Sequence, residues 1–543
     1  MTRRIAKTQK RQYIYIFSVL FGLIFIRYCY FGLTYYNQLD DYIQYHNYTA
    51  YHDELWALIK SLGLLSARPL AGLSDLFLWS KFYSVMIAAA AVISALYAVS
   101  AVLLHKVFHK RFGTGFLFYV FYALLPLGFE GAYWISASSR IVVGLFFAAL
   151  SFYFFDLWFD SGRKRDLVLF AVFQFVAFCY YEQIILLSGA LTLILMLCGL
   201  KNPGWHRLRW GFLTAGNAAV YLAVTKLMPA GVYGQRAQLF LPWQEGYTER
   251  VLDPLLTQLQ TAYLEGFSST LGKGFVRGLQ FLVTEPNVIW ALLALFLCFM
   301  FFILIRQDNR ESIRFFAELF AGLFLAIIPV ALFFVLKEPW FGLRNTVTSF
   351  CGLALVFDAL FDLFFGRLKS GRAVEAGLVA AFALVCCIAS ISELHDYRET
   401  TIADTKIAML TADTFADTTF ADDTEIWLLN VDPSYVSNGN LYYHEHDTGV
   451  TSSAWALTGA IRAVSNRPDA FSDVVFTPVS SKLPLLAAES AVEKANTWWY
   501  TGENLVPISL VKWGSNTWKA VNSSGTVLGI LAYADGTLTF SVS

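Results

Sequence analysis

Charge is what this chain has least of. Of its 543 residues only 15% are charged, against 57% hydrophobic, and the mean hydropathy is +0.52. Soluble domains carry about 25% charged residues, so a soluble globular protein is excluded. Forty basic and forty acidic residues cancel, leaving no overall positive field of the kind that nucleic-acid binding requires. Cysteine is scarce as well. Cys29, Cys179, Cys198, Cys298, Cys351, Cys386 and Cys387 all fall inside apolar runs, with no CxxC spacing. They read as small buried hydrophobes, and neither a disulfide framework nor zinc or redox chemistry is expected.

What the chain has instead is a series of apolar windows. About 20 apolar residues suffice to cross a bilayer, and such windows occur near 13–34, 82–104, 114–130, 140–159, 167–181, 183–200, 210–228, 287–305, 315–336, 346–366 and 374–391. The first follows the basic leader "MTRRIAKTQKRQ". It is too long for a signal-peptide core and lacks a small-x-small cleavage site, so it reads as an uncleaved signal anchor.

Orientation follows from basic residues. The N-terminus, "HKVFHKRFG", "DSGRKRD", "KNPGWHRLR", "RQDNRESIR" and "GRLKSGR" alternate along the chain and hold about 20 of the 40 Lys and Arg. The positive-inside rule assigns these segments to the cytoplasm. Eleven spans fit the alternation, which sends 35–81, 130–140, the Tyr181–Gln183 turn, 229–286, 337–345 and the tail outward. Two domains are expected: a polytopic α-helical membrane domain over 1–391, and a small extracytoplasmic mixed α/β domain over 392–543. In the tail, β-like runs such as "EIWLLNV" and "DVVFTPV" alternate with turn residues, and Asp535-Gly536 is a hairpin signal. A helical stretch near 393–412 is expected to continue the last span, and 229–286 to form short amphipathic helices. No internal repeat is visible.

Ionisable groups at the ends of spans are costly, and here they collect on the outward side. Asp40, Asp41, Asp53, Glu54, Arg68, Glu130, Arg140, Glu182, Lys226, Arg236, Lys337, Glu338 and Arg344 lie there, several beside aromatics as in "FEGAYW", "YYEQ" and "KEPWFGLR". Aromatic faces beside carboxylates suit a carbohydrate or a lipid headgroup; the alternative is an interfacial Trp/Tyr belt with snorkelling charges. The adjacent acids Asp40 and Asp41 lie in "YYNQLDDYIQYHNYTAYHDELW", a stretch too aromatic for an ordinary solvated loop.

A first span followed at once by an outward loop with adjacent acids resembles the GT-C superfamily of integral-membrane glycosyltransferases, and within it the bacterial Gtr-type glucosyltransferases. The resemblance rests on Asp40-Asp41, Arg68-Pro69 in "SARPLAGL", Tyr133, Trp134 and Arg140 in "GAYWISASSR", and Glu182 in "YYEQ". It covers roughly residues 12–390. The chain departs from that pattern in having no basic residue shortly after the acids. The resemblance implies a polyprenyl-phosphate-linked sugar donor, a cell-envelope glycan or lipid acceptor, and a first-loop acid that works near the acceptor.

Transfer from such a donor needs a carboxylate to take the acceptor's proton and fixed positive charge where the departing phosphate gathers negative charge. Asp40 or Asp41 suits the first role. Arg344, whose guanidinium fork matches phosphate, suits the second, with Arg68, Arg140 and Lys226 as further phosphate-binding candidates. Glu54, Glu130, Tyr133, Trp134 and Glu182 are candidates for the acceptor or sugar. No cofactor is expected; a divalent metal bridged by Asp40 and Asp41 is the secondary alternative. Arg27, inside the first span, is expected to reach outward to the site. Asp358 and Asp362 read as acids neutralised by Arg367 and Lys369, and "YHEHD" at 443–447 as a weak metal motif. Two other functions compete: a transporter or flippase for a lipid-linked saccharide, which calls for midplane charges and broken spans, and a non-catalytic cell-envelope assembly protein.

Overall fold

A computed structural model of the chain describes residues 2–45, 55–200, 205–229, 238–307, 314–365, 371–421, 424–434, 449–465, 467 and 470–543. Glu54, Arg236, Arg367, Lys369 and the "YHEHD" motif lie outside the described residues. Among the described residues seven helices are long and apolar enough to cross a membrane by length and composition: Met86–Phe112, Ile135–Ser161, Glu182–Gly199, Val288–Gln307, Phe315–Val335, Leu343–Phe365 and Arg372–Thr414. The other apolar windows are helical but shorter, over Arg11–Ile26, Leu117–Tyr133, Lys164–Phe178 and Leu213–Leu227. The last two have 15 residues each, rising about 22 Å against a hydrocarbon core of about 30 Å.

Where helices touch closely, small residues permit it. A Cβ on Gly352 would lie 2.0 Å from the Ala326 backbone nitrogen, so Phe315–Ile327 and Phe350–Phe365 cross in backbone contact. Where a helix breaks, a side chain repairs it. Leu117–Ala123 stops ahead of Pro126, which has no N–H to offer the carbonyl of Tyr122. The Tyr97 hydroxyl donates to that carbonyl, and Arg27 donates to the next two, Ala123 and Leu124, at 3.0 Å each. Arg27, 1% exposed, therefore closes a helix end inside the helical unit, where both its hydrogen bonds go to backbone carbonyls. Asp358 accepts from the Gly115 backbone N–H at 2.6 Å, holding the turn before Leu117–Ala123.

The stretch expected as short amphipathic helices is one helical path from Thr248 to Thr284. It contains π-helical turns at Thr248–Leu252, Gln260–Glu265 and Ser268–Lys273. Its far end is clamped to the last long helix, since Arg277 donates to Asp396 at 2.6 Å and a Cβ on Gly278 would meet the Ile388 carbonyl oxygen at 2.1 Å.

That last helix, Gly371–Thr414, runs for 44 residues, about 66 Å. It crosses the expected boundary at 391/392 without a break and supplies Ile407, Ala408 and Ala412 to the core of the C-terminal unit. There, β1 (Thr424–Leu429) pairs in parallel with β2 (Val474–Val479) and with β4 (Asn496–Tyr500), and β5 (Leu505–Pro507) pairs antiparallel with β4. Helix Ala454–Val464 makes the crossover from β1 to β2 and packs on the sheet. A second, antiparallel sheet comprises β3 (Leu485–Leu486), β6 (Ser509–Gly514), β7 (Thr517–Val521), β8 (Val527–Ala534) and β9 (Thr537–Val542), in the order β3-β9-β8-β7-β6. Asp535 and Gly536 join β8 to β9 with φ of 49° and 80°, the positive values a two-residue hairpin turn of this kind demands.

Candidate functional site

The loop that follows the first helix is held from two sides, which accounts for its aromatic surplus. Tyr35 stacks on Tyr133 with centroids 4.6 Å apart, and Tyr133 stacks in turn on Tyr397 of the long helix. Tyr42 and Tyr45 face the other way, into the core of the C-terminal unit. A Cβ on Gly459 would lie 2.6 Å from the Tyr42 carbonyl oxygen, and Arg462 donates to the Tyr45 carbonyl at 3.3 Å. The loop is thus a clamp between helical and β units.

The two adjacent acids diverge within this clamp. Asp41 is fully buried. Its Oδ2 accepts from the Tyr35 hydroxyl at 2.7 Å and the Gln38 N–H at 3.1 Å, and its Oδ1 from the Ser136 N–H at 3.0 Å. Burial pushes its carboxyl up to about 6, against these hydrogen bonds, which pull it down. With both oxygens engaged, Asp41 is closed to a substrate or a shared metal ion in this arrangement. Asp40 points elsewhere. Its side chain is 28% exposed and its Oδ2 lies 3.1 Å from Nη1 of Arg344. Glu130 approaches the same guanidinium, Oε1 to Nε at 3.9 Å, and the Trp340 ring lies below it at 4.7 Å.

Arg344 is positioned through its backbone. The preceding loop is gripped by Gln258, whose Nε2 donates to the Pro339 carbonyl at 3.0 Å and whose Oε1 accepts from the Phe341 N–H at 2.8 Å. On the other flank a Cβ on Gly131 would stand 3.0 Å from the Arg344 carbonyl oxygen, so only glycine allows this approach without displacement. Asn345 then donates to the Tyr181 hydroxyl at 2.7 Å.

Two further ion pairs adjoin Tyr181. Arg68 binds both carboxylate oxygens of Glu182 at 2.9 Å and lies over the Tyr181 ring at 4.5 Å. Arg140 binds Asp75 at 2.8 Å, and Ser139 donates to the same carboxylate at 3.2 Å. Burial pushes the Tyr181 phenol up, while Arg68, Arg344 and Arg140 pull it down, in that order. One phenol thus feels all three arginines.

Of the residues expected in a site, Asp40, Glu130 and Arg344 are brought together, with Arg68–Glu182 and Arg140 alongside. Tyr133 and Trp134 are 0% and 1% exposed, so neither ring offers a face to a sugar; packing against Tyr35 and Tyr397 has consumed both. Lys226 is exposed at the end of Leu213–Leu227 and, among the described residues, joins none of these pairs. Asp75, Tyr181, Trp340, Asn345 and Gln258 were missed. A largely covered arginine such as Arg140, its side chain 15% exposed, calls for a counter-charge, and that requirement is the one signal that could have pointed to Asp75.

Four carboxylates (Asp40, Glu130, Asp75, Glu182) thus face three guanidinium groups (Arg344, Arg68, Arg140). Among the described residues no group of three or more His, Cys, Asp or Glu side chains could hold a metal ion. Fold and site together define a helical protein with seven membrane-length apolar helices, a small C-terminal β-containing unit, and an ionic cluster beside the loop that joins them. No protein-family model and no curated protein matches the chain.

Proposed function

We propose that the protein is an integral-membrane glycosyltransferase that moves a sugar from a polyprenyl-phosphate-linked donor to a cell-envelope glycan or lipid acceptor on the outer face of the membrane. The observation that carries this reading is the 3.1 Å contact between Asp40 and Arg344. A candidate base and a candidate phosphate-binding cation stand side by side, with partial exposure.

In this reading the resting pair is exchanged when donor enters. Phosphate oxygens take the guanidinium fork of Arg344, where Trp340 backs its face. Asp40 then turns to the acceptor. The acceptor oxygen forms its bond to the anomeric carbon as the bond from that carbon to the phosphate oxygen breaks. The acceptor's proton passes to Asp40, and the charge left on the polyprenyl phosphate is met by Arg344. Arg68 and Arg140, already neutralised by Glu182 and Asp75, shape the electrostatics around Tyr181 and remain in their pairs. Asp41 fixes the loop so that Asp40 keeps its aim. The test is transfer of labelled sugar by the purified protein, with Asp40→Asn and Arg344→Gln as controls; transfer surviving both substitutions ends this reading.

A transporter or flippase for a lipid-linked saccharide is the second reading. It is favoured by the broken segment at Pro126, the non-α turn at Pro329 and buried Arg27, Glu318 and Asp358 within the helical unit. Movement of labelled lipid-linked sugar across vesicles without any bond transfer separates it from the enzyme.

A further inference from the structure

We propose that the protein carries a second, lipid-binding site, specific for a zwitterionic phospholipid headgroup with a primary ammonium, in the hollow between the exit of the first helix and the start of Val288–Gln307. The hollow is an open depression of about 580 Å³ lined by Tyr30, Phe31, Gly32, Glu285, Asn287 and Ile289 among others. Gly32 has φ of 104° and nothing within 4 Å of where a Cβ would stand, so it opens onto free space.

The hollow and its surroundings are of two kinds, with Arg398, Leu292 and Phe296 standing beside the lining residues and not among them. On one side Glu285 and Arg398 form a pair at 2.7 Å, and the Arg398 guanidinium lies 4.7 Å over the Phe31 ring. Their side chains are 43% and 30% exposed, so both charges are accessible. On the other side Val288, Ile289, Leu292 and Phe296 are bare along one face of a membrane-length helix. Charge gives way to apolar surface within a few residues, which is the profile of a headgroup layer meeting acyl chains. A partly exposed ion pair contributes little to stability, and it exchanges readily for two ligand charges of matching sign.

The frame around the hollow is rigid. Tyr30 donates through its hydroxyl to the Glu285 carbonyl at 2.7 Å, Asn287 donates to the Tyr30 carbonyl at 2.7 Å, and Trp290 donates to the Ile26 carbonyl at 2.8 Å. A surface hollow framed in this way does not have to be opened by its ligand. Charge complementarity selects the occupant. Arg398 takes the phosphate, and Glu285 accepts hydrogen bonds from an N–H-bearing ammonium. A choline group has no N–H to give, and the glycerol of phosphatidylglycerol offers Glu285 only uncharged hydroxyls in place of a charge-assisted donor.

The delipidated full-length protein is titrated with short-chain phosphatidylethanolamine, phosphatidylcholine and phosphatidylglycerol, and bound lipid is counted by native mass spectrometry. The ethanolamine lipid should bind about tenfold more tightly than either of the others. Glu285→Gln should abolish the preference over the choline lipid while binding of that lipid persists; Arg398→Gln should weaken all three. Unchanged unfolding midpoints without lipid establish that both variants fold. Equal affinity for the three headgroups, a preference for the anionic one, or a preference that survives Glu285→Gln would overturn the site.

Discussion

Asp40 and Arg344, separated by 304 positions in the sequence, meet at 3.1 Å, whereas Asp41 turns away into a buried cage of three donors. The same dipeptide thus supplies one carboxylate that can change partners and one that cannot. This asymmetry sets distinct expectations for the two acids.

Asp40→Asn should lower sugar transfer by about 10² to 10⁴-fold, the usual contribution of positioned proton transfer. Donor binding should persist and become tighter, because the amide no longer competes with phosphate for Arg344. Arg344→Gln should lose donor affinity and rate together. Titration of a non-transferable donor analogue against both variants reads this directly, and weaker binding by Asp40→Asn would show that the carboxylate does not compete for the guanidinium.

Asp41→Asn should act on stability. The folded carboxyl is raised from 3.8 to about 6 by burial, a difference of about 3 kcal/mol between its protonation states. For an acid raised on folding, its contribution is fully present below about pH 4 and is lost as pH rises through about 6. The amide removes that dependence, and its NH₂ must face one of the donors now serving the carboxylate, at a cost of about 1–3 kcal/mol. The stability lost in Asp41→Asn relative to the parent should therefore be largest near pH 4 and shrink by pH 8. Thermal unfolding of both proteins across that range is the measurement; a constant difference would mean that Asp41 does not titrate there.

Seven of the apolar windows were legible in the sequence because a membrane-length helix leaves little freedom over side-chain polarity or length, while the other four fold as shorter or broken helices. The Asp535-Gly536 turn was legible because few residue pairs tolerate two positive φ angles. Asp40, Glu130 and Arg344 could each be singled out as costly charges, but their convergence could not be read, since it depends on how distant segments pack. Tyr133 and Trp134 were misplaced for a related reason. An aromatic at a span end reads alike whether its face meets solvent or another ring, and Tyr35 and Tyr397 decide the matter from afar. Arg27 was misdirected because the break at Pro126, which creates its carbonyl partners, lies on another segment.

Topology gives an independent expectation. The ionic cluster and the C-terminal unit share one side of the helical unit through the Tyr35–Tyr45 clamp. The basic segments around Arg111 and Arg163 lie at the opposite ends of Met86–Phe112 and Ile135–Ser161. With those basic ends in the cytoplasm, a reporter that works only in the cytoplasm should be silent when fused after Ser543 and active when inserted after Gly162. Activity at Ser543 would invert the orientation and move the cluster to the inner face.

The last prediction concerns how Arg344 is held. Gly131 lets the backbone of Arg344 approach from one side, with a would-be Cβ 3.0 Å from its carbonyl oxygen and 3.2 Å from its Cα. Gln258 grips Pro339 and Phe341 from the other. Gly131 has no side chain to offer and Gln258 bonds the backbone of Pro339 and Phe341, so neither is expected to enter the chemistry. Gly131→Ala forces the Arg344 backbone to give by a few tenths of an ångström, and Gln258→Ala frees the loop that carries it. Misplacement approaching 1 Å costs about 10²-fold in rate, so each substitution should cut turnover by roughly tenfold. Gln258→Glu keeps the acceptor for the Phe341 N–H but loses the donor to Pro339, and should fall between parent and alanine. If Arg344 acts on phosphate in the transition state more than in the bound donor, kcat should drop while KM changes little. Parent-like kcat in both Gly131→Ala and Gln258→Ala would mean that the placement of Arg344 is not what limits transfer.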